Sequence, residues 1–186
     1  MRRLTVSNLM SLDGYLEGPS RSLDWHVVDE EFFAYAREML RSVDTLLFGR
    51  ITYAMMAAYW PAAPPDEIAD KMNGLSKLVF SNTLVFSNTL VSAGWNNTQL
   101  VRGDAVEEVR RLKQVPGGDM VVLGSGALAS ILLAAGLIDE YRVIVNPIVL
   151  GSGTPLFQGI SRRIRLRLTE VRRFASGVVL LSYAGT

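Results

Sequence analysis

This chain of 186 residues contains no cysteine and one histidine, His26. Without thiols there can be no disulfide, no thiolate metal site and no cysteine nucleophile, a pattern that fits a reducing, intracellular setting. A lone histidine leaves no set of ligands for zinc, so no metal is expected. No apolar run approaches the length needed to cross a bilayer, and the opening Met1-Arg2-Arg3-Leu4 lacks the apolar stretch of a secretory leader. The expected location is the cytoplasm, with no membrane partner. Charge of one sign is also missing. The 19 lysines and arginines balance 18 acids, leaving a net charge of +1. Nothing in that balance draws the chain toward nucleic acid.

What is present is an ordinary globular composition, 49% hydrophobic, at a length suited to one domain with a real core. The apolar pattern predicts strands over 4–10, 45–48, 78–80, 98–101, 120–123 and 141–146. Helices are predicted over 29–41, 50–59, 66–72, 105–113 and 127–135. A closing antiparallel pair is expected over 165–174 and 178–183, around Ser176-Gly177. Strands alternate with helices first and the tail is all strand. The expected fold class is therefore α/β, with a mostly parallel sheet carrying an antiparallel edge, in a single domain over 1–186. A long loop is expected after the first strand, marked by Gly14 and Gly18-Pro19.

Three glycine-bearing turns read together as a nucleotide pocket. They are Ser11-Leu12-Asp13-Gly14-Tyr15, Phe48-Gly49-Arg50-Ile51-Thr52-Tyr53 and Leu123-Gly124-Ser125-Gly126-Ala127. The last two follow apolar runs and open amphipathic ones. A strand, a glycine turn and a helix start let backbone approach a phosphate, with free N–H groups and the positive end of the helix dipole behind it. An arginine inside one turn suits several phosphates, because its planar fork grips them through two donors.

One oddity is a tandem repeat. Leu-Val-Phe-Ser-Asn-Thr at 78–83 recurs at once at 84–89. Six residues are too few for a solenoid unit. Because six is even, a shift by one copy keeps every side chain on its face, so either copy fits the same strand.

The chain resembles the dihydrofolate-reductase-like superfamily, within it the stand-alone relatives of the riboflavin-biosynthesis reductase domain (RibD C-terminal-like). The resemblance rests on Ser11-Leu12-Asp13-Gly14-Tyr15-Leu16, Asp24-Trp25, Gly49-Arg50-Ile51-Thr52-Tyr53, Lys77-Leu78-Val79-Phe80-Ser81-Asn82-Thr83, Trp95-Asn96-Asn97, Gly124-Ser125-Gly126, and Pro147-Ile148-Val149-Leu150-Gly151-Ser152-Gly153 with Pro155-Leu156-Phe157. It spans essentially the whole chain. It implies an NADPH-dependent reductase, paired as a homodimer, that transfers hydride to a small heterocyclic or ribosylaminopyrimidine-type substrate.

By the same resemblance Gly49, Arg50 and Thr52 meet the cofactor's phosphates, Arg50 beside the adenosine 2′-phosphate. Ser81 and Thr83, or Ser87 and Thr89 of the second copy, line the adenosine end. Gly124, Ser125 and Gly126 cradle the pyrophosphate. Asp13 and Gly14 sit by the nicotinamide in the loop over the site. Asn8, Trp25 and Pro147 belong to the substrate side. The zinc deaminase domain of bifunctional relatives has no ligands here. Where folate reductases carry one carboxylate, this chain reads Asp29-Glu30-Glu31. Folate reduction and a non-catalytic nucleotide-binding dimeric module are the alternative functions.

Several residues carry a plain structural reading beside the functional one. Asp13 is a turn residue before glycine, or a polar group that orients substrate or relays a proton. Asp29 is a first-turn acid on its helix dipole, or a catalytic carboxylate. Trp25 is core or pocket wall. His26 is a loop residue, or a catalyst. Arg163, Arg165 and Arg167 alternate with Ile164, Leu166 and Leu168 as the basic outer face of a half-buried strand, or form an anion site.

Overall fold

The computed structural model describes residues 1–80 and 95–185. Ser81, Thr83, Ser87 and Thr89 lie outside the described residues, as does the whole second copy of the repeat.

Ten strands and five helices are described. The strands are β1 (Leu4–Ser11), β2 (Tyr15–Glu17), β3 (Val43–Gly49), β4 (Ser76–Phe80), β5 (Thr98–Val101), β6 (Asp119–Leu123), β7 (Glu140–Asn146), β8 (Thr154–Pro155), β9 (Leu166–Arg173) and β10 (Val179–Gly185). The helices are α1 (Glu30–Leu40), α2 (Arg50–Tyr59), α3 (Glu67–Gly74), α4 (Ala105–Gln114) and α5 (Gly126–Ala134). Eight strands form one sheet in the order β5-β4-β3-β6-β1-β7-β10-β9. β5 through β7 run parallel, while β10 and β9 close the edge antiparallel. This is the mostly parallel sheet with an antiparallel edge that the pattern predicts, and the mixed sheet that the dihydrofolate-reductase-like resemblance implies.

The central strands are apolar without alternation because helices cover both faces. Leu46, Leu47 and Phe48 on β3 and Met120, Val121 and Val122 on β6 are fully buried. Residues of α4 and α5 pack in one core with Leu47, Leu78, Met120 and Val122. Residues of α1, α2 and α3 pack in the other with Leu46, Phe48, Val79 and Val121. Phe48, Tyr53 and Trp95 stack pairwise at 5.8–6.3 Å and fix α2 against β3. The first copy of the repeat supplies Leu78, Val79 and Phe80 to β4, between β3 and β5.

β2 and β8 form a separate two-stranded sheet where the sequence reads only as loop. Strands of three and two residues are shorter than any window in which alternation shows. Several bonds tie the 12–17 loop to the 148–156 loop. Leu12 donates to the Ile148 carbonyl at 2.8 Å and Leu156 to that of Gly14 at 2.9 Å. Gly153 takes φ +142, with the Glu17 carbonyl oxygen 2.0 Å from where a Cβ would stand, so no other residue fits there. Arg163, Arg165 and Arg167 are exposed, while Ile164 and Leu166 pack on the core beneath.

Candidate active-site cleft

β3 and β6 are neighbours, yet the helices that follow them leave to opposite faces, α2 to one core and α5 to the other. Such a divergence opens a crevice at the carboxyl ends of the strands, where open α/β sheets bind ligands. A cleft of about 1120 Å³ lies there, lined by Gly49–Thr52 of the α2 start and 125–128 of the α5 start. Arg102, Gly103 and Asp104 before α4 line it too, as do Leu16 and Glu17 of β2, Arg21 after it, Thr154 of β8 and Gln158.

Two hydrogen bonds join the two glycine turns. The Gly49 N–H donates to Ser125 Oγ at 2.9 Å, and the Ser125 N–H donates to Thr52 Oγ1 at 3.1 Å. Gly124 and Ser125 both adopt left-handed backbone, at φ +59 and +53. A Cβ on Gly124 would stand 3.1 Å from Thr52 Cγ2. Thr52 and Ser125 therefore hold the turns together, and the groups they leave open are the backbone N–H groups of the helix starts.

The helix caps differ in a way that marks those starts. Asp29, Asp66 and Asp104 cap α1, α3 and α4 with side-chain bonds of 2.7–2.9 Å, and each of these helices has acids in its first turn. α2 and α5 have no side-chain cap and no first-turn acid. The two helices that follow β3 and β6 thus keep unneutralised N-termini, while the α4 start at the same cleft carries its Asp104 cap. Arg21, Arg50 and Arg102 line the same cleft, and among the described residues none of the three has an ion-pair partner. Glu17 and Asp104 also line it. Glu17 accepts from Thr154 Oγ1 at 3.4 Å, and Asp104 is held by its capping bond.

Gly49, Arg50, Thr52, Ser125 and Gly126 come together in the cleft, with Gly124 directly behind Thr52. Asp13 and Gly14 do not line it; they lie on the strap formed by the 12–17 loop bonded to the 148–156 loop. Asp13 accepts from Ser11 Oγ at 2.7 Å and from the N–H groups of Leu150 and Gly151 at 3.1 and 2.7 Å. Desolvation raises its pKa, but those hydrogen bonds outweigh it and hold the carboxyl below its usual value. Asp29 accepts from the Phe32 N–H, which, with Ser176, lowers its pKa. It is the cap of α1 and does not line the cleft.

Asn8 is fully buried and donates to the Tyr141 hydroxyl at 3.3 Å, leaving its own carbonyl oxygen without a partner among the described residues. Trp25 bonds the Ser22 carbonyl and packs edge-on to His26 at 4.3 Å. Burial drives the His26 pKa down to about 4, and its buried Nε2 has no partner among the described residues. Pro147 is exposed, beside Gly177. The structure does not bring Asn8, Trp25, Asp29 or Pro147 to the lining of the cleft.

Arg102 escaped the sequence reading although its signal was there. Val101-Arg102-Gly103-Asp104 is a third instance of strand, glycine turn and helix, with Gly103 at φ +132. Arg21 had no such signal, because only the tertiary path of its loop brings it to the cleft. Among the described residues no group of histidine, cysteine and carboxylates is placed to hold a metal, and no helix is long and apolar enough to cross a membrane.

The RibD C-terminal domain family matches residues 2–180. The uncharacterized protein YyaP of Bacillus subtilis (strain 168) is 34% identical over 182 residues, covering 98% of this chain and 94% of that protein. Among solved structures, a putative riboflavin biosynthesis protein from Shewanella sp. PV-4 superposes with a TM-score of 0.76 at 24% identity over 99% of both chains. Dihydrofolate reductase from Enterococcus faecalis, complexed with NADP(H), superposes with a TM-score of 0.67 at 14% identity, covering 99% of this chain and 96% of that one.

Proposed function

This chain belongs to the RibD C-terminal domain family, and we propose that within it the protein is an NADPH-dependent reductase of a small heterocyclic substrate of the ribosylaminopyrimidine type. The observation that carries this reading is the pair of uncapped helix starts, α2 and α5, facing one cleft together with Arg50. The three other described helices are capped by aspartate, α4 among them at the edge of the same cleft, so the missing caps belong to the two starts that follow β3 and β6. Free N–H groups, two positive dipole ends and a guanidinium suit a ligand with several phosphates. NADP(H) in the Enterococcus reductase of the same fold supports that identity.

In this reading the N–H groups at the starts of α2 and α5 hold phosphate oxygens. Arg50 holds the 2′-phosphate that separates NADPH from NADH. Gly126 lets Leu16 pack close to the α5 start, where a Cβ would stand 2.8 Å from Leu16 Cδ2. Thr52 and Ser125 fix the distance between the two turns and so the place of the dinucleotide. When bound, NADPH supplies the hydride that reduces a C=N or C=O carbon. The chain's contribution is positioning and electrostatics. Asp13, through Leu150 and Gly151, secures the loops over that end of the cleft.

The test is a parallel titration with NADPH and NADH by nicotinamide fluorescence, followed by turnover on a panel of aminopyrimidine and carbonyl substrates. Tight NADPH binding, weak NADH binding and oxidation of NADPH in the presence of a substrate are expected. NADPH binding without turnover on any member would favour the non-catalytic module. Tight methotrexate binding with dihydrofolate turnover would favour folate reduction. Absence of NADPH binding would overturn the reading.

A further inference from the structure

Arg21 stands where the backbone favours glycine. Ser20 and Arg21 are consecutive non-glycine residues in left-handed conformation, at φ 56 and 62. Such geometry is uncommon for any residue with a Cβ and disfavours the folded state. The turn that imposes it is short and closed on itself. Gly18 donates to the Ser22 carbonyl at 3.0 Å, Arg21 to that of Gly18 at 3.1 Å and Ser22 to that of Pro19 at 3.2 Å. Arg21 lines the cleft with Leu16 and Glu17 of the same segment, and it has no ion-pair partner among the described residues. That segment is tied down by β2–β8 pairing and by the bonds from Asp13 to Leu150 and Gly151. A cation is thus held at strained geometry on a cleft that already presents Arg50, Arg102 and two uncapped helix N-termini.

We propose that Arg21 is a phosphate-recognition residue, adding its guanidinium to those of Arg50 and Arg102 around a phosphate of the ligand bound in this cleft. The inference rests on the reductase reading for the identity of one phosphate source, the cofactor. A phosphorylated substrate is the other. Arginine suits either, since its fork donates two parallel hydrogen bonds to phosphate oxygens. The strain at Arg21 separates its role from a structural one. Glycine relieves the backbone but deletes the guanidinium, so stability and binding move in different directions.

The experiment uses the full chain as wild type, R21G, R21Q and R21K. Melting temperature, NADPH affinity by fluorescence and ribose 5-phosphate affinity by calorimetry are measured for each. R21G is expected to melt at the wild-type temperature or up to about 4 °C higher. R21G and R21Q are expected to lose about tenfold in affinity for one of the two ligands, with R21K intermediate. Loss for NADPH assigns the cofactor's phosphate, and loss for ribose 5-phosphate alone assigns the substrate's. Wild-type affinity for both ligands in R21G and R21Q overturns the inference and leaves the reductase reading intact. A wild-type protein that binds ribose 5-phosphate through Arg21 but not NADPH overturns the reductase reading and leaves the inference intact. Wild type that binds neither ligand overturns both.

Discussion

The Ser125 backbone N–H donates to Thr52 Oγ1 at 3.1 Å, joining two turns that lie 73 residues apart in the chain. The bond spans the crevice between β3 and β6, and both partners are buried. Thr52→Val keeps the shape of the side chain and removes the acceptor. An unpaired buried N–H costs about 1–2 kcal/mol, a fall of roughly 3–6 °C in melting temperature. NADPH affinity is expected to fall with it, and Thr52→Ser to restore both. A Thr52→Val variant with wild-type stability and affinity would show that the bond positions nothing.

Arg50 separates two cofactors that differ by one phosphate. Arg50→Ala is expected to weaken NADPH about tenfold or more while changing NADH less than about twofold. Paired fluorescence titrations measure this. Equal loss for both cofactors would remove Arg50 from the 2′-phosphate and leave it a general phosphate contact.

Asp13 is the buckle of the strap. Asp13→Ala removes the acceptor of the Leu150 and Gly151 N–H groups, so amide hydrogen exchange at 150 and 151 is expected to quicken about tenfold or more. Its carboxyl has a depressed pKa in the folded protein, so the folded state binds fewer protons than the unfolded one as the carboxyl titrates. The contribution is fully present above the ordinary carboxylate range and is lost as pH falls through the lowered value. Unchanged exchange in Asp13→Ala together with a collapse of turnover would point instead to the proton relay that the sequence also allows.

His26 sets a second pH dependence. Its pKa is about 4 in the fold against 6.5 in the unfolded chain. Between these values the unfolded chain binds the extra proton, so stability falls as pH drops from 6.5 toward 4 and levels off below. Partial exposure of the ring reduces the effect to about 1–2 kcal/mol. His26→Phe keeps the edge-on contact with Trp25 and is expected to flatten the profile in that window. A variant whose melting temperature still falls as steeply there would assign the loss to other groups.

Lys77 is fully buried, and its ammonium donates to the carbonyls of Asn73, Leu75 and Asn96 at 3.1, 2.7 and 3.0 Å, 4.6 Å from the Trp95 ring. Lys77→Met fills the space but strands three carbonyls. A loss of about 2–4 kcal/mol, seen as a lower midpoint in urea denaturation, is expected. A midpoint within error of wild type would mean that those carbonyls find other donors.

The sequence by itself determined the elements and their order. Apolar runs such as Leu46-Leu47-Phe48 and Met120-Val121-Val122, short and bounded by glycine, read as strands covered on both faces, and Asp29, Asp66 and Asp104 each stand directly before a helical pattern. The glycine turns at 49 and 124–126 were legible for the same reason: local backbone geometry constrains local residue choice. Only the tertiary structure decided which turns face one another. Sheet order places β3 beside β6, although 69 residues separate Gly49 from their Asp119, and that adjacency makes Thr52 the partner of Ser125. The β2–β8 pairing, the strap at Asp13 and the place of Arg21 also depend on contacts more than a hundred residues apart, which no local periodicity encodes. The capping bond of Asp29 is local, but the same long-range geometry left Asp29 out of the cleft lining and brought Arg102 into it.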